Sequence, residues 1–571
     1  MKINGPLLFV ILDGWGVREE RDFNAISHAH TPFWDYVSGA NSDPELPGAL
    51  GPVSYTTLVA VGPQVGMPQG AKGSTAVGHE VLSGVDYRHP MSLIEESIQD
   101  DVMHSQVVDE AIDYALEHGS AFHLMGLISD NREHSDIRHL YAILKRAVQM
   151  GQKKIRLHFF SDGRGTPPQS GPRFVKELRS KIAEITQSDP AFDIKIATVG
   201  GRDLTMNRST QYWTKSVSVL RAIFEAAAPR VETIDQAFEA AYKLGLNDQY
   251  VQVGVVDDYT GIGDYDSLLH FNFRRDRTEM LMRLMLESEE DIARMLCESG
   301  DSTFAGLKDF HRIEKQDGPD YTTLKISALV EYYKNIPCPV AFRAKEHKWT
   351  LGRFLDEMGY RQRLISGVDK TAALRLLNGA EREQLYSSQQ SILVPLPQEL
   401  ADYIAAYDVN KGLPGFEENP YVKFPLVELE ELTHTIVREL AAADEKTLLA
   451  VNVCNPDMVG HTGDMAACVK CVEAIDPALR TMAEAVLAAG GAMVITADHG
   501  NIEEICSGGE PNTYHTRAKV PFAIIGLEKI ALRNDGTLKD VAPTLLYLLN
   551  GEERPEIRRH LVGRILMKAG E

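Results

Sequence analysis

The chain opens with a short, uninterrupted apolar run, Leu7 to Leu12, that stops at Asp13-Gly14-Trp15-Gly16. A run of that length, closed by a glycine-rich turn, predicts a strand buried on both faces of a parallel sheet. The pattern returns late in the chain. Leu448 to Val453 runs into Asn455-Pro456-Asp457, Ala492 to Thr496 runs into Asp498-His499-Gly500, and Val520 to Ile525 predicts a fourth strand. Between the second and third strands, Met465 to Ala489 reads as one long helix ended by Gly490-Gly491. Strand–helix–strand alternation predicts an α/β fold. In open sheets of that kind, chemistry collects at the carboxyl ends of the strands. Asp13, Asp457, Asp498 and His499 all follow such ends, so segments from opposite ends of the chain are expected at one edge of one sheet.

The middle of the chain has its own strand-like segments, Ala121 to Ile128, Lys154 to Phe160, Ile194 to Val199 and Ser267 to Phe273, with helical stretches between them. This pattern predicts a second α/β domain inserted into the first. The seams fall near residues 89 and 345, which assigns 1–89 and 345–571 to the first domain and 90–344 to the insertion. Residues 38–72 are rich in glycine and proline and read as a long loop.

Composition narrows the picture without redrawing it. The 59 Lys and Arg against 81 Asp and Glu leave a formal net charge of −22, which argues against a nucleic-acid-binding surface. A local cluster of arginines can still reverse the field inside one cleft. Six cysteines among 571 residues are no disulfide framework and favour a reducing compartment. Cys468 and Cys471 form a lone C-x-x-C inside the predicted helix, where two small residues on a helix face explain it. The apolar residues before Asp13 are too few for a signal peptide or a membrane span. A cytoplasmic protein with no membrane partner is expected.

Asp457 and His461 stand four apart, so a helix starting there puts both on one face. A carboxylate and an imidazole so placed suit a divalent transition metal. Asp498-His499 follows a strand directly, and His515 follows in the loop Asn512-Thr513-Tyr514-His515-Thr516. With Asp13 this makes three carboxylates and three imidazoles, enough for two metals that would clamp an in-line phosphoryl transfer. Any one of the six has a plain structural explanation, a helix cap for an Asp or a satisfied polar group for a His. Six at sheet edges do not. Gly73-Ser74-Thr75-Ala76-Val77-Gly78-His79 is a small-residue turn leading into a helix. A hydroxyl there, Thr75 or Ser74, can act as a metal-activated nucleophile or simply cap the helix.

These motifs, in this order and over nearly the whole chain, resemble the cofactor-independent phosphoglycerate mutases of the alkaline phosphatase superfamily. The resemblance implies an alkaline-phosphatase-like sheet domain, split by an inserted α/β substrate-binding domain. It implies two divalent metals, manganese first, with magnesium, cobalt or zinc as alternatives. Asp457, His461 and His515 would hold one; Asp13, Asp498, His499 and the oxygen of Thr75 would hold the other. In the middle region, Gly126 to Asp130 leading to His134-Ser135, Ser161 to Arg164, Gly201-Arg202, Met206 to Arg208 and Phe271 to Arg277 resemble the family's substrate segments. By that matching His134, Arg164, Arg202, Arg208, Arg274 and Arg277 would bind phosphoglycerate, arginine being suited to phosphate and carboxylate by its planar fork. Lys370 falls where the family places a lysine near the transferring phosphoryl.

The implied reaction interconverts 3- and 2-phosphoglycerate through a phosphoenzyme, without bisphosphoglycerate and with water excluded by domain closure. Members of the family are typically monomers. Three positions depart from its pattern. The family nucleophile is a serine preceded by Gly-Asn and followed by Glu, where this chain has Thr75 between Ser74 and Ala76. Gly165 and Asn207 stand where the family has aspartates. These departures keep open a phosphatase or another phosphomutase of the same superfamily, or a metal-binding protein without activity.

Overall fold

The computed structural model describes residues 2–40, 50–207, 213–275, 277–288, 291–292, 294, 323–343, 345, 347–379, 384–410, 418–507 and 510–568. The chain forms two compact units, Met1–His89 with Lys345–Glu571, and Pro90–Ala344. Each has its own apolar core.

Among the described residues, the first unit holds a seven-stranded sheet. Its order is Gln389–Val394, Arg361–Gly367, Thr447–Val453, Leu7–Leu12, Ala492–Thr496, Val520–Ile525 and Val53–Leu58. The first five run parallel. Leu7–Leu12 lies at the middle and is buried at every position, as its unbroken apolar run requires. The last two strands run antiparallel to their neighbours. Val53–Leu58 lies inside the stretch read as a long loop. Its Ser, Tyr and Thr residues alternate between half-buried and buried, which suits an edge strand and leaves no long apolar run to detect.

The register places the chemistry. Leu12 pairs with Val453, and Ile11 pairs with Thr496. The chain therefore leaves three adjacent strands at the same edge, immediately before Asp13, the Asn455–Gly460 helix and Asp498. The long helix spans Met465–Ala488, with Asp464 accepting from the Ala467 N–H at 2.8 Å. Asp476, buried on this helix, accepts from the backbone N–H groups of Phe33 and Trp34 at 3.2 and 2.8 Å, satisfying the start of the Pro32–Ser38 helix. Cys468 and Cys471 are free thiols fully buried on the same helix, where they pack in the apolar core. No described helix is long and apolar enough to cross a membrane.

The second unit holds an eight-stranded sheet among its described residues. At its centre Ser267–His270, Phe122–Ile128, Lys154–Ser161 and Asp193–Gly201 lie side by side and parallel. Ser267–His270 stops short of the predicted end at Phe273, because Asn272 turns its side chain back to accept from the Leu127 N–H at 2.8 Å. Ile128, Ser161 and Gly201 stand level at the carboxyl edge.

Several histidines are sealed into this unit. Burial holds His139 at about 4 and His270 at about 3, both below the ordinary 6.5. Each stays neutral in the fold, whereas the unfolded chain takes up a proton once the pH drops below about 6.5. Their share of stability is whole above that pH and is lost as the pH falls toward 4 and then 3, at about 1.4 kcal/mol per pH unit for each histidine. The urea midpoint of this unit is expected to fall between pH 7 and pH 5, and His139→Leu should make that fall shallower. An unchanged slope in the variant would remove His139 from the account.

Candidate active site

At the carboxyl edge of the first sheet, three side chains turn acceptor atoms on one point. His461 Nδ1 lies 2.9 Å from the carbonyl of Thr513, and His515 Nδ1 lies 2.9 Å from the carbonyl of Gly73. A carbonyl can only accept, so both Nδ1 atoms donate and the ring lone pairs sit on Nε2. Those two Nε2 atoms are 3.0 Å apart and lie 3.2 and 3.1 Å from Oδ1 of Asp457. Protons on both would collide. Two imidazole lone pairs and a carboxylate oxygen so arranged are a donor set that could hold a divalent cation. Asn501 fixes Asp457 by donating to the same oxygen at 3.0 Å.

A second cluster adjoins it. The ligand atoms of Asp13, Asp498 and His499 all lie within 4.8 Å of one another, and all three residues are fully buried. His499 Nδ1 faces the Gly500 carbonyl at 3.2 Å, which leaves Nε2 turned toward Asp13 Oδ1 at 3.5 Å and Asp498 Oδ2 at 3.4 Å. Asp13 Oδ1 accepts no hydrogen bond, and Asp498 Oδ2 has only the buried His79 Nδ1 near it, at 3.2 Å. Buried carboxylate oxygens without donors are costly unless a cation meets them, so this donor set fits a second divalent metal. The ring of His499 stacks on His515 at 3.8 Å and joins the two clusters.

Lys370 supplies the described cation between them. Its Nζ lies 2.8 Å from Asp457 Oδ2 and 3.0 Å from Asp13 Oδ2. Burial works against its charge, but Asp13, Asp457 and Asp498 outweigh burial and push its pKa up. Burial and the neighbouring Asp498 push Asp13 up, against Lys370. Asp498 is held at about 2: burial opposes this, and His499, His79 and Lys370 overcome it.

The two candidate hydroxyls separate here. Ser74 is the N-cap of the Thr75–Leu82 helix and its oxygen faces the Val77 N–H at 3.5 Å. Thr75 Oγ1 lies 2.8 Å from His499 Nε2, inside the pocket.

The second unit brings its own set together at the carboxyl edge of its sheet. Arg202 is 3% exposed and donates to Asp162 Oδ1 at 2.5 Å. Asp162 Oδ2 accepts from Ser129 at 2.7 Å and from Asn131 Nδ2 at 3.2 Å. His134 is buried, with Nε2 3.5 Å from Glu133 Oε1, and Arg274 reaches the same oxygen at 3.0 Å. The hydrogen bond with His134, against burial, and then Arg274 and Arg202 hold Glu133 at about 2. Arg277 donates to the Met206 carbonyl at 3.3 Å, and Arg164 is exposed beside Asp162. Arg208 lies outside the described residues. A third acidic group in this unit, Glu95, Asp136 and His139, is already matched by Arg132 and Arg138 and makes no case for a metal.

Sequence reasoning missed several supporting residues. Glu503 is buried and accepts from the N–H groups of Gly16 and Asn501 at 3.0 and 2.8 Å and from the Thr516 hydroxyl, so it ties three loops of the metal pocket. Asn131 was also missed. A Cβ at Gly165 would lie 1.5 Å from its Nδ2, so the amide occupies the room a side chain at 165 would need. Both are polar residues in loops, and neither carries a pattern that spacing alone can detect.

Comparison with known proteins bears on the family of the chain. The family description BPG-independent PGAM N-terminus matches residues 94–312, and the metalloenzyme superfamily matches residues 416–553. The 2,3-bisphosphoglycerate-independent phosphoglycerate mutase of Desulforudis audaxviator is 32% identical over 566 residues, covering 98% of this chain and 99% of the relative. That of Pseudomonas syringae pv. syringae is 31% identical over 562 residues, with 98% of each covered. Among solved structures, that of Leishmania mexicana phosphoglycerate mutase at low cobalt concentration matches with a TM-score of 0.65 and 25% identity, covering 100% of this chain and 98% of that one.

Gly165→Ala is expected to displace the Asn131 amide from Asp162 and loosen Arg202. Asn131→Ala should have the same effect on substrate KM, and the double variant should equal either single, because both remove one contact. Additive losses in that double-mutant cycle would show that the two positions act separately.

Proposed function

The chain belongs to the 2,3-bisphosphoglycerate-independent phosphoglycerate mutases and is an isomerase; from that membership we propose that Thr75 carries the phosphoryl group between the two hydroxyls of glycerate. The observation that carries this reading is the placement of Thr75 Oγ1, 2.8 Å from His499 Nε2, which itself faces the buried carboxylates of Asp13 and Asp498 at 3.5 and 3.4 Å. Asp13, Asp498, His499 and Thr75 would hold one divalent cation, and Asp457, His461 and His515 the other. The mixed carboxylate and imidazole donors suit manganese, with cobalt, zinc or magnesium as substitutes. Cations there supply positive charge to the phosphoryl oxygens and lower the pKa of the attacking hydroxyl.

The chain's own groups divide the remaining work. Thr75 Oγ attacks phosphorus while the bond to the 3-oxygen of the substrate breaks, and the hydroxyl proton passes to that departing oxygen. The 2-hydroxyl of glycerate then attacks phosphorus, the bond from phosphorus to Oγ breaks, and the proton of that hydroxyl passes to Thr75 Oγ. Lys370 neutralises carboxylates around the transferring group. Arg164, Arg202, Arg208, Arg274 and Arg277 bind the phosphate and carboxylate of phosphoglycerate, and His134 orients the glycerate hydroxyls. The insertion of residues 90–344 is the substrate-binding domain. The β-branched Thr75 restricts the χ1 rotamers open to its oxygen, which stands where the relatives' pattern has serine. The described cysteines are all free thiols, which supports a reducing, cytoplasmic setting.

With 3-phosphoglycerate and manganese, and no bisphosphoglycerate, the protein is expected to yield 2-phosphoglycerate. Release of free phosphate alone would point to a hydrolase instead. Thr75→Ala should lower kcat by about 10³-fold or more, while Thr75→Ser keeps turnover. Full activity in Thr75→Ala would move the nucleophile elsewhere. A chelator should abolish turnover, and manganese should restore it.

A further inference from the structure

Behind Thr75 lies a fully buried polar pair that none of the assignments above uses. His79 is one helical turn beyond Thr75 and is 0% exposed; Asn452 is the polar residue before Val453 in a strand that is otherwise apolar after Thr447 and is 1% exposed. Buried polar groups must find partners, and these two find each other. His79 Nδ1 lies 2.9 Å from the backbone carbonyl of Thr75, which can only accept, so Nδ1 carries the proton; the same atom also lies 3.2 Å from Asp498 Oδ2, a second acceptor at the cation pocket. His79 Nε2 lies 3.0 Å from Asn452 Nδ2, and the same amide nitrogen lies 2.8 Å from Asp13 Oδ2. Turned the other way, the amide would set its oxygen against the Asp13 carboxylate. Asn452 therefore gives one proton to the imidazole and one to the carboxylate.

The result is a directed chain of hydrogen bonds, Asp13 from Asn452, His79 from Asn452, and the Thr75 carbonyl from His79. It is short because the helix sits hard against the strand end. A Cβ at Gly78 would lie 2.5 Å from the Asp498 carbonyl oxygen, so only glycine permits this approach. The chain also decides which oxygen of Asp13 remains open. Asn452 and Lys370 both engage Oδ2, and Oδ1 is left facing His499.

We infer that His79 and Asn452 are a positioning pair for phosphoryl transfer, setting the Thr75 backbone relative to Asp13 and turning Asp13 Oδ1 toward the cation pocket. The inference rests on the reading of Thr75 as the phosphoryl carrier, because a fixed distance from Thr75 to Asp13 matters only if Thr75 attacks there. Partners behind metal ligands hold the ligand atoms in place, and their loss typically costs about 10–100-fold in metal affinity or activity.

Three variants of the full chain test the pair. His79→Asn keeps a donor near the δ position that can reach the Thr75 carbonyl. His79→Gln keeps an acceptor near the ε position for Asn452 but loses that donor. Asn452→Leu keeps volume and removes both protons. Manganese binding by calorimetry, kcat, KM and thermal midpoint are measured for each. The expected outcome is that His79→Gln and Asn452→Leu weaken one of two manganese equivalents and lower kcat by about 10–100-fold with KM changed less than about 3-fold, while His79→Asn retains more of both.

Asn452→Leu with both manganese affinities and kcat at wild-type values would overturn the proposal. So would losses in all three variants that follow the thermal midpoint alone, since those would mark a merely structural role. Thr75→Ala, measured alongside, separates the two readings. If it stays active, Thr75 is not the carrier, and the manganese affinities of the Asn452 and His79 variants still decide whether the pair orients Asp13.

Discussion

The metal pocket depends on keeping like-charged groups close where water cannot screen them. Two carboxylates about 4 Å apart repel by roughly 4 kcal/mol at an effective dielectric near 20, and desolvation adds to that. Asp13 and Asp498 are fully buried, with ligand atoms within 4.8 Å of each other. No local sequence preference would hold them there. The sheet does, because two parallel neighbours of the Leu7–Leu12 strand end level with it and leave the chain no other exit. Lys370 bridges Asp13 and Asp457, and the remaining acceptor atoms face positions suited to divalent cations. A core of apolar strands thus bears the cost of an edge that is electrostatically unfavourable by itself.

The second unit meets the opposite problem, a buried guanidinium. Arg202 is matched by Asp162, and Asp162 by Ser129, Asn131 and the backbone N–H of Gly165. The charge pair is acceptable in that place because the remaining lone pairs of the carboxylate are also satisfied. Here too the carboxyl ends of adjacent parallel strands supply the residues. One architectural rule places clustered carboxylates and imidazoles in one unit and a buried guanidinium in the other.

The departures from the family pattern become physical statements at this level. Gly165 is more than a lost aspartate, because the Asn131 amide fills the room beside it and bonds to Asp162. Thr75 takes the pocket position and Ser74 the cap, so the neighbouring hydroxyls are not interchangeable. Arginine at 202 is held rigidly, whereas Arg164 is exposed.

The sequence by itself determined the elements that repeat a strong pattern. Unbroken apolar runs marked Leu7–Leu12 and Ala492–Thr496, and the long helix before the latter was legible from its periodicity and terminal glycines. The six candidates stood out as a group, since Asp13, Asp457, Asp498 and His499 follow strand ends and His461 stands four from Asp457, and their side chains come together at one edge of the sheet. The strand Val53–Leu58 was not, since an edge strand of alternating small polar residues looks like a loop until Val520–Ile525 pairs with it. Only the tertiary structure decided which hydroxyl enters the pocket, which oxygen of Asp13 stays open, and that His79, Asn452, Asn131 and Glu503 matter. Each of those depends on a contact between residues far apart in the chain, and a hydrogen bond of that kind leaves no periodicity in the sequence to read.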